Sequence, residues 1–320
     1  MKRILVNKPI HKDAIALLSQ ELEVLTPYKA SREEILVMLP DVHATILCAG
    51  MRMDAEAIAA ASSLEVLGRH GAGLDIVDIP AATARGIPVV FTPLGPTEST
   101  AEHAFMLMMA AARKLSYLDR AVRAGNFHVR DHVVGTELMG KKVGVVGFGN
   151  IGRRFAAMCR DALQMEVHAY DPFIDAQKIR DWGATAEDSV VGMAAKVDFL
   201  SLHIPSTKES HHIVDAAVLD ALGPDAFLIN CSRGPVVDEK ALVAALTENK
   251  IAGAGLDVYD PEPPQADNPL FSLDNVVLTP HLASFTDDGR RRMGLMAAKG
   301  VTSVLRGEKP QYLANPEVYK

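Results

Sequence analysis

The segment Gly147–Gly152 is the feature that most constrains the fold. Its glycines follow the pattern G-x-G-x-x-G, directly after the apolar run Val143–Val146 and before a stretch with helical character. In such a strand–turn–helix unit, Gly147 permits the tight turn, Gly149 lets the backbone approach a pyrophosphate, and Gly152 allows the helix to pack closely on the strand. The start of the helix would present free N–H groups to the phosphates. The segment therefore predicts a dinucleotide-binding unit.

A carboxylate follows the next predicted strand. Asp171 comes directly after Glu166–Tyr170, close to the ~20 residues past the glycines at which an acidic side chain binds the ribose hydroxyls. A carboxylate there repels a 2′-phosphate, so we predict NAD(H) in preference to NADP(H). The predicted cofactor contacts from these two segments are Gly147, Phe148, Gly149, Asn150, Ile151, Gly152 and Asp171.

Short β-branched and aliphatic runs alternate with helical patterns along the chain. The predicted strands are Ile4–Val6, Glu23–Leu25, Thr45–Leu47, Val66–Leu67 and Val89–Phe91, followed by Val143–Val146, Glu166–Tyr170, Val197–His203, Ala226–Asn230, Ala254–Val258 and Asn275–Thr279. Such alternation predicts parallel sheets with helices on both faces. We therefore predict the α/β class, with two doubly wound parallel-sheet domains.

Helical signals precede and follow the second series of predicted strands. Ser99 and Glu102 have the spacing of a capping box, which predicts that a long helical region begins there and ends near Gly125. The segment from about Asp287 to Leu305 predicts an amphipathic helix.

Composition limits the class of protein. The 320 residues are 48% hydrophobic and carry a formal net charge of −7 without a long basic run, so we expect about two domains and neither nucleic acid nor a membrane as partner. Cys48, Cys159 and Cys231 are too scattered for a disulfide framework or a metal site, and no metal is expected. Met1 leads directly into a strand, and no apolar run approaches the ~20 residues of a membrane span. A cytoplasmic location is expected.

Three further side chains each follow a predicted strand of the second series. Arg233 lies in Cys-Ser-Arg-Gly, Glu262 between prolines, and His281 after Thr-Pro. Taken singly, a surface arginine, a loop glutamate and a packed histidine are the commoner explanations. Because the carboxyl ends of parallel strands meet at one edge of the sheet, their joint occurrence beside a nucleotide fingerprint indicates an active site.

These residue types suit the reduction of a 2-keto acid, which requires a hydride from a nicotinamide and a proton at the carbonyl oxygen. An imidazole titrates near neutral pH, so His281 is suited to supply the proton. Glu262 can orient the ring and favour its protonated form. Arg233 offers a planar fork that fits a substrate carboxylate and keto oxygen.

A glycine-rich turn follows the predicted strand Val66–Leu67. Small residues in Gly71-Ala72-Gly73 would expose backbone N–H groups, which bind a carboxylate in a concave nest. An ordinary glycine turn is the alternative.

Together these segments resemble the D-2-hydroxyacid dehydrogenase family over nearly the whole chain. The segments that carry the resemblance are Arg69–Asp75, Ser99–His103, Gly147–Gly152, Asp171-Pro172, Leu202–Pro205, Asn230–Gly234, Gly255–Val258, Asp260–Glu262 and Thr279–His281.

The resemblance implies roles for further residues. It implies a catalytic set of Arg233, Glu262 and His281 and substrate binding by Gly71, Ala72, Gly73 and Arg233. It implies further cofactor contacts from Thr100, His203, Ile204, Pro205, Cys231, Ser232, Arg233, Asp257 and His281. It also implies a flavodoxin-like substrate domain of residues 1–98 plus 286–320, an inserted Rossmann NAD domain of residues 99–285, and a homodimer formed through the NAD domain.

The substrate stays open at this point. A small-molecule 2-hydroxy or 2-keto acid is expected, and the candidates are 3-phosphoglycerate, hydroxypyruvate or glyoxylate, and a bulkier 2-keto acid. A phosphorylated substrate would need added cations, for which Arg52 and Arg69 are candidates beside the commoner explanation of surface arginines. Family members often have a glycine pair where this chain has Leu282-Ala283, which bears on substrate preference.

An alternative function on the same fold is an NAD(H)-sensing transcriptional corepressor, which can retain the catalytic residues. The chain ends at Lys320, and neither the interaction tails of such a sensor nor the C-terminal extensions of some phosphoglycerate dehydrogenases are expected. An enzyme is therefore the favoured interpretation.

Overall fold

The computed structural model describes residues 1–319, which form two compact units. The first consists of Met1–Thr97 and the described residues from Ser284 onward, and the second of Glu98–Ala283. The boundaries expected from the family resemblance, after residues 98 and 285, differ from these by one and two residues.

Both units alternate strands with helices. The strands are β1 (Lys2–Val6), β2 (Leu22–Leu25), β3 (Ala44–Leu47), β4 (Val66–Arg69), β5 (Val89–Val90), β6 (Lys142–Val146), β7 (Glu166–Tyr170), β8 (Thr185–Ala186), β9 (Phe199–Leu202), β10 (Phe227–Asn230), β11 (Gly253–Leu256) and β12 (Val276–Leu278). The α-helices are α1 (Lys12–Leu18), α2 (Arg32–Met38), α3 (Ala55–Ala60), α4 (Ile79–Ala84), α5 (Thr97–Ala112), α6 (Leu115–Arg123), α7 (Asn150–Leu163), α8 (Ala176–Trp182), α9 (Val190–Ala194), α10 (Ala216–Leu222), α11 (Glu239–Thr247) and α12 (Asp287–Leu305).

The first unit is built on a parallel five-stranded sheet with the order β2-β1-β3-β4-β5. This is the flavodoxin-like order of doubly wound folds. Apolar side chains bury both faces of the sheet, one of them beneath α1 and α12. Gly68 in β4 allows α12 to approach closely, because a Cβ atom at this position would lie 2.8 Å from Val301 Cγ2. Helix α12 thus completes the unit that the N-terminal part begins.

The second unit contains a parallel seven-stranded sheet with the order β12-β11-β10-β9-β6-β7-β8. Counted from β6, six of its strands follow the 3-2-1-4-5-6 order of a Rossmann fold. Two apolar clusters cover its faces. The carboxyl ends of β6, β7, β9, β10, β11 and β12 lie at one edge, because neighbouring strands run parallel. The predicted fold class, with two doubly wound parallel-sheet domains, is confirmed.

Local predictions hold for the long periodic elements and fail at short or capped ones. The predicted helix Asp287–Leu305 has those bounds in the structure. Strand β8 was not predicted, since its two residues carry no periodicity. The predicted capping box is wrong: α5 begins at Thr97, directly after Pro96, so Ser99 already lies in the first helical turn. The helical region ending near Gly125 is two helices, because Lys114 adopts a left-handed conformation (φ 54°) between α5 and α6.

Among residues 1–319, no helix combines the length and apolar character needed to cross a membrane.

Candidate active site

The three fingerprint glycines have three different environments. Gly147 has φ +89°, and a Cβ atom there would lie 2.6 Å from the His203 carbonyl oxygen. At Gly152 a Cβ atom would lie 2.0 Å from the Gly147 carbonyl oxygen, so the helix could not reach its position against the turn. At Gly149 no heavy atom comes within 4 Å of a Cβ position. The open side of the turn is therefore at Gly149, where the sequence predicts the pyrophosphate.

Helix α7 begins at Asn150 with Gly149 as its N-cap, and no side chain of the described residues caps it. The N–H groups of Asn150 and Ile151 in the first turn thus face the open side of the fingerprint without a helical acceptor. The Phe148 ring is buried against Trp182, with 5.0 Å between ring centroids, so this residue offers its backbone. The arrangement can bind a phosphate through backbone N–H groups and the helix dipole.

Asp171 is held directly beside the fingerprint. One carboxylate oxygen accepts the Phe148 N–H at 2.8 Å and the other accepts the Phe173 N–H at 2.9 Å. The two backbone donors fix the orientation of the carboxylate. The predicted ribose ligand and the predicted phosphate turn thus form one hydrogen-bonded assembly.

The predicted cofactor contacts His203, Ile204 and Pro205 follow β9. The Ile204 side chain packs on Gly147, and Pro205 is exposed. The His203 ring packs on Phe155 and lies 2.9 Å from the Ser201 hydroxyl through Nε2. Burial lowers the pKa of His203 to about 3. The imidazole is therefore neutral and engaged inside the unit, which leaves the backbone of His203 at the edge of the sheet.

The loop after β10 is organised by Asn230, which is almost completely buried. Its Oδ1 accepts the backbone N–H of Ser232 at 3.0 Å and the Ser232 hydroxyl at 2.8 Å, while its Nδ2 donates to the Arg233 carbonyl at 2.9 Å. Burial, reinforced by the negative charge of Asp257, raises the pKa of Cys231, so this cysteine stays a neutral thiol. Nη1 of the half-buried Arg233 donates to the Ser232 carbonyl at 2.7 Å.

A close backbone contact joins this loop to the one that carries Glu262. A Cβ atom at Gly234 would lie 1.7 Å from the Tyr259 carbonyl oxygen and 2.9 Å from the Asp260 nitrogen. Only glycine allows the two backbones to approach in this way. Gly234, which follows Arg233, therefore contacts Asp260, which lies two residues before Glu262.

Asp257 is the most connected side chain of the site and is fully buried. Its carboxylate accepts the Thr279 hydroxyl at 2.6 Å, the Leu282 N–H at 3.0 Å and the Ala283 N–H at 2.8 Å. Burial alone raises the pKa of Asp257, but the hydrogen bonds from His103, Thr279 and the two backbone N–H groups outweigh it and leave the pKa lowered. The carboxylate is therefore ionised and ties the end of β11 to the segment after β12.

His281 lies in the segment that Asp257 holds. Its N–H donates to the Asp257 carbonyl at 2.8 Å, and its backbone is left-handed with φ +51°. Nδ1 of the ring is hydrogen-bonded to Glu262 Oε1. The two side chains are 41% and 38% exposed, so the pair is accessible to a small molecule. An imidazole held at Nδ1 by a carboxylate presents Nε2 for proton transfer.

In the first unit, the turn Gly71-Ala72-Gly73 follows β4. Gly71 is buried with φ +148°, and its N–H donates to the Thr92 hydroxyl at 2.8 Å. The N–H groups of Ala72 and Gly73 donate to no other residue among 1–319. Arg69, a candidate phosphate ligand, instead donates to carbonyl oxygens of this turn.

The structure thus brings Glu262 and His281 into contact, and Asp171 into contact with Phe148. Thr100 lies buried in the first turn of α5, where none of its predicted neighbours hydrogen-bonds to it. Sequence reasoning assigned no role to His103, Thr279, Thr92 or Tyr259, although the first two lie in the motifs that carry the resemblance. Tyr259 donates to the Thr279 carbonyl at 2.9 Å. Among the described residues, no cluster of histidine, cysteine, aspartate or glutamate has the arrangement of a metal site.

Comparison with known proteins decides the family. The sequence model of the D-isomer specific 2-hydroxyacid dehydrogenase NAD binding domain matches residues 105–283. The chain belongs to the D-isomer specific 2-hydroxyacid dehydrogenase family. This confirms the predicted family. It also confirms NAD as a cofactor, because the matched region is the NAD binding domain of the family.

Relatives with different named substrates are similar to the chain. The D-3-phosphoglycerate dehydrogenase of Archaeoglobus fulgidus is 40% identical over 306 residues, which cover 95% of this chain and 58% of that protein. The chain therefore spans little more than half the length of this relative. The glyoxylate reductase of Pyrococcus furiosus is 36% identical over 327 residues, which cover 99% of this chain and 96% of that protein.

The fold is also similar to that of a solved reductase. A crystal structure of the NADPH-dependent glyoxylate/hydroxypyruvate reductase of Sinorhizobium meliloti, in complex with NADP and malonate, has a TM-score of 0.87 and 31% identity and covers 98% of this chain and 96% of that one. This similar protein is NADPH-dependent, whereas the matching family model is named for NAD binding.

The environments of Gly152 and Gly149 predict different effects of alanine substitution at the two positions. Gly152→Ala is expected to lower the free energy of unfolding by about 1–3 kcal/mol, the usual cost of overpacking, because its Cβ atom meets a backbone carbonyl. Gly149→Ala is expected to change it by less than about 0.5 kcal/mol but to weaken NADH binding, because its Cβ atom projects into the open space. Urea unfolding and NADH fluorescence titration measure the two effects. Equal losses of stability in both variants would contradict this interpretation.

Proposed function

We propose that the protein interconverts a D-2-hydroxy acid and its 2-keto acid with NAD(H). The observation that carries the proposal is the Glu262–His281 hydrogen bond at the carboxyl edge of the sheet that also bears the fingerprint. A titratable imidazole paired with a carboxylate is the equipment of a general acid–base catalyst. Family membership supports the same reaction.

The chain's own residues have separate roles in this proposal. Bound NADH supplies the hydride for the substrate carbonyl carbon. Glu262 orients the ring of His281. In its protonated form His281 donates a proton to the keto oxygen, and in the oxidative direction it accepts that proton. Arg233 binds the carboxylate and the keto oxygen through its planar guanidinium. The turn Gly71–Gly73 contributes backbone N–H groups for the substrate carboxylate, as the family resemblance implies.

The cofactor preference is proposed on the geometry of Asp171. The carboxylate is fixed by the N–H groups of Phe148 and Phe173, so it cannot turn away from a 2′-phosphate without losing both hydrogen bonds. NAD(H) is therefore proposed in preference to NADP(H), with the remaining predicted contacts from Thr100, Ile204 and the loop Cys231–Arg233.

Two substrate classes are proposed, each supported by one relative. Similarity to the phosphoglycerate dehydrogenase supports 3-phosphoglycerate, and similarity over nearly full length to the glyoxylate reductase supports glyoxylate or hydroxypyruvate. Arg69 is already bonded to three backbone carbonyl oxygens, which leaves Arg52 as the remaining candidate for a phosphate.

Turnover of these acids tests the proposal. NADH and NADPH oxidation would be followed with glyoxylate, hydroxypyruvate, phosphohydroxypyruvate and a bulkier 2-keto acid. We expect NADH-dependent reduction of at least one of them, and His281→Asn is expected to lower kcat by about 10²–10⁴-fold, as for loss of a general acid. Arg233→Ala is expected to raise KM for the acid as well. Tight NADH binding without turnover of any acid would favour the corepressor-like sensor instead.

The Glu262–His281 hydrogen bond predicts the effect of removing the carboxylate. Glu262→Gln replaces the charged acceptor with a neutral amide, which weakens the hold on Nδ1 of the ring. The value of kcat is expected to fall, but by less than the about 10²–10⁴-fold expected for His281→Asn. Steady-state kinetics with the 2-keto acid that the wild type reduces measures the effect.

Glu239→Gln is a matched control for this variant. The Glu239 carboxylate also holds the Glu262 loop, accepting from Asp260 N at 3.0 Å and Asn268 Nδ2 at 2.7 Å, but His281 is not among its hydrogen-bond partners. Its kcat is expected to stay near the wild-type value. An unchanged kcat in Glu262→Gln would show that Glu262 does not orient His281 for proton transfer.

A homodimer formed through the second unit is proposed from the resemblance and supported by exposed apolar side chains. Helix α6 has no buried residue, and the exposed fractions of Leu115, Val122 and Phe127 are 57%, 56% and 61%. Light scattering should give twice the chain mass of 34.4 kDa, and Leu115→Glu with Phe127→Glu should lower it towards the single mass. A wild-type monomer at assay concentrations would contradict the proposal.

A further inference from the structure

An arginine lies on the inner side of the turn that is proposed to bind the substrate carboxylate. Arg69, the last residue of β4, donates from Nε to the Gly73 carbonyl at 2.8 Å. From Nη1 it donates to the His70 carbonyl at 2.6 Å and to the Leu47 carbonyl at 3.1 Å. A guanidinium has N–H donors in a fixed planar fork, so three carbonyl oxygens are gathered around one rigid group. The Arg69 side chain is therefore a structural part of the turn.

Gly71 lies flat against this guanidinium. A Cβ atom at Gly71 would lie 3.0 Å from both Cζ and Nη2 of Arg69. A side chain at this position would therefore press against the guanidinium, and the φ of +148° separately favours glycine. The arginine and the turn are fitted to one another.

Thr92 holds the backbone of Gly71 through two hydrogen bonds. The Thr92 hydroxyl accepts the Gly71 N–H at 2.8 Å, and the Thr92 N–H donates to the Gly71 carbonyl at 3.1 Å. Thr92 is completely buried, so neither bond competes with water. Both backbone polar groups of Gly71 are therefore engaged within the protein, and neither is free for a substrate.

These contacts determine where the next N–H groups point. In a trans peptide the C=O of one residue and the N–H of the next lie in one plane and point in opposite directions. Because the Gly71 carbonyl faces Thr92, the Ala72 N–H faces away from it. Because the Gly73 carbonyl faces Arg69, the Leu74 N–H faces away from the guanidinium. In the described chain the N–H groups of Ala72, Gly73 and Leu74 donate to no residue, and all three residues are partly exposed.

We propose that Arg69 and Thr92 are positioning residues that turn the Ala72 and Leu74 N–H groups outward, so that these two groups, together with the Gly73 N–H, bind the carboxylate of the substrate. This inference rests on the proposed function. Arg69 acts twice, since it holds the carbonyl oxygens inward and places a positive charge behind the N–H groups that face the anion. Neither residue touches the substrate.

Variants at both positions separate geometry from charge. Arg69→Met removes the fork and the charge, and Arg69→Lys retains only the charge. Thr92→Val removes the hydroxyl acceptor while keeping the shape, and Thr92→Ser restores that acceptor. Because tenfold in affinity corresponds to about 1.4 kcal/mol, loss of an oriented donor set is expected to raise KM for the 2-keto acid about 10–100-fold in Arg69→Met and Thr92→Val. The KM for NADH and kcat are expected to change by less than about threefold, and Thr92→Ser to stay near wild type.

Arg85→Met is the matched control. Arg85 also donates to three backbone carbonyl oxygens of the first unit, those of Ile58, Ala61 and Ser62, but these lie at the end of α3. Its variant is expected to lose thermal stability to a similar degree as Arg69→Met while keeping the wild-type KM. A KM raised equally in the two variants would overturn the proposal, because it would then reflect general destabilisation.

A binding measurement makes the test independent of turnover. Oxamate, an unreactive carboxylate probe, would be added to ¹⁵N-labelled protein with NADH, and the amide resonances of Ala72, Gly73 and Leu74 followed by NMR. We expect these resonances to shift in the wild type and not in Arg69→Met at the same oxamate concentration. If the wild type reduces a 2-keto acid but these resonances do not move, this inference fails and the proposed function stands. If they move while no acid is reduced, the proposed function fails and the carboxylate site stands.

Discussion

The candidate site depends on the hydrogen bonds that the buried carboxylate of Asp257 accepts. It accepts three hydrogen bonds from the segment Thr279–Ala283, and its own carbonyl accepts the N–H of His281. A non-glycine residue with positive φ is held at a cost of about 1–2 kcal/mol, and His281 has such a conformation. The bonds to Asp257 offset that cost. Burying an ionised carboxylate is unfavourable unless it is fully hydrogen-bonded, so the carboxylate and the segment stabilise each other.

The parallel sheet then decides which residues meet. The loops that carry Asp171, Arg233, Glu262 and His281 all follow carboxyl ends of strands in one sheet. Close backbone contacts then bring neighbouring loops nearer to each other. Gly234 meets Tyr259, and Gly147 meets the carbonyl of His203, at distances that no side chain permits. These glycines thus determine the spacing between the loops as well as the conformation of the turns in which they lie.

A common principle operates in the two units. In each, a polar side chain behind a loop orients the backbone or the side chain in front of it. Asp257 does so for His281 and Asn230 does so for Arg233. Arg69 and Thr92 are proposed to do so for the N–H groups of Ala72 and Leu74 in the carboxylate site. These residues are buried or half-buried and hydrogen-bonded to several partners. Their replacement is therefore expected to alter the geometry of the loops without removing a reactive group.

Elements with a strong local signal were predictable from the sequence. The strand–glycine–helix order at Val143–Gly152 indicated the nucleotide fold, and the bounds of α12 followed from its periodicity. The residue types Arg233, Glu262 and His281 led to the chemistry that we propose, since each chemical role admits few side chains. The start of α5 was predicted wrongly, because a capping box defined by spacing alone cannot show where the preceding turn ends.

Only the tertiary structure decided which groups behind the site support it. Asp257 lies 25 residues from Leu282, and Gly71 lies 21 residues from Thr92, so no local pattern reveals either contact. Arg69 looked like a cation for a phosphate, and its three backbone carbonyl partners show it to be part of the turn. The sequence determined the sheets, the glycine turns and the reactive residue types, because these follow from local stereochemistry and side-chain chemistry. The orientation of each reactive group depended on hydrogen bonds between distant segments, which exist only after the sheets have formed.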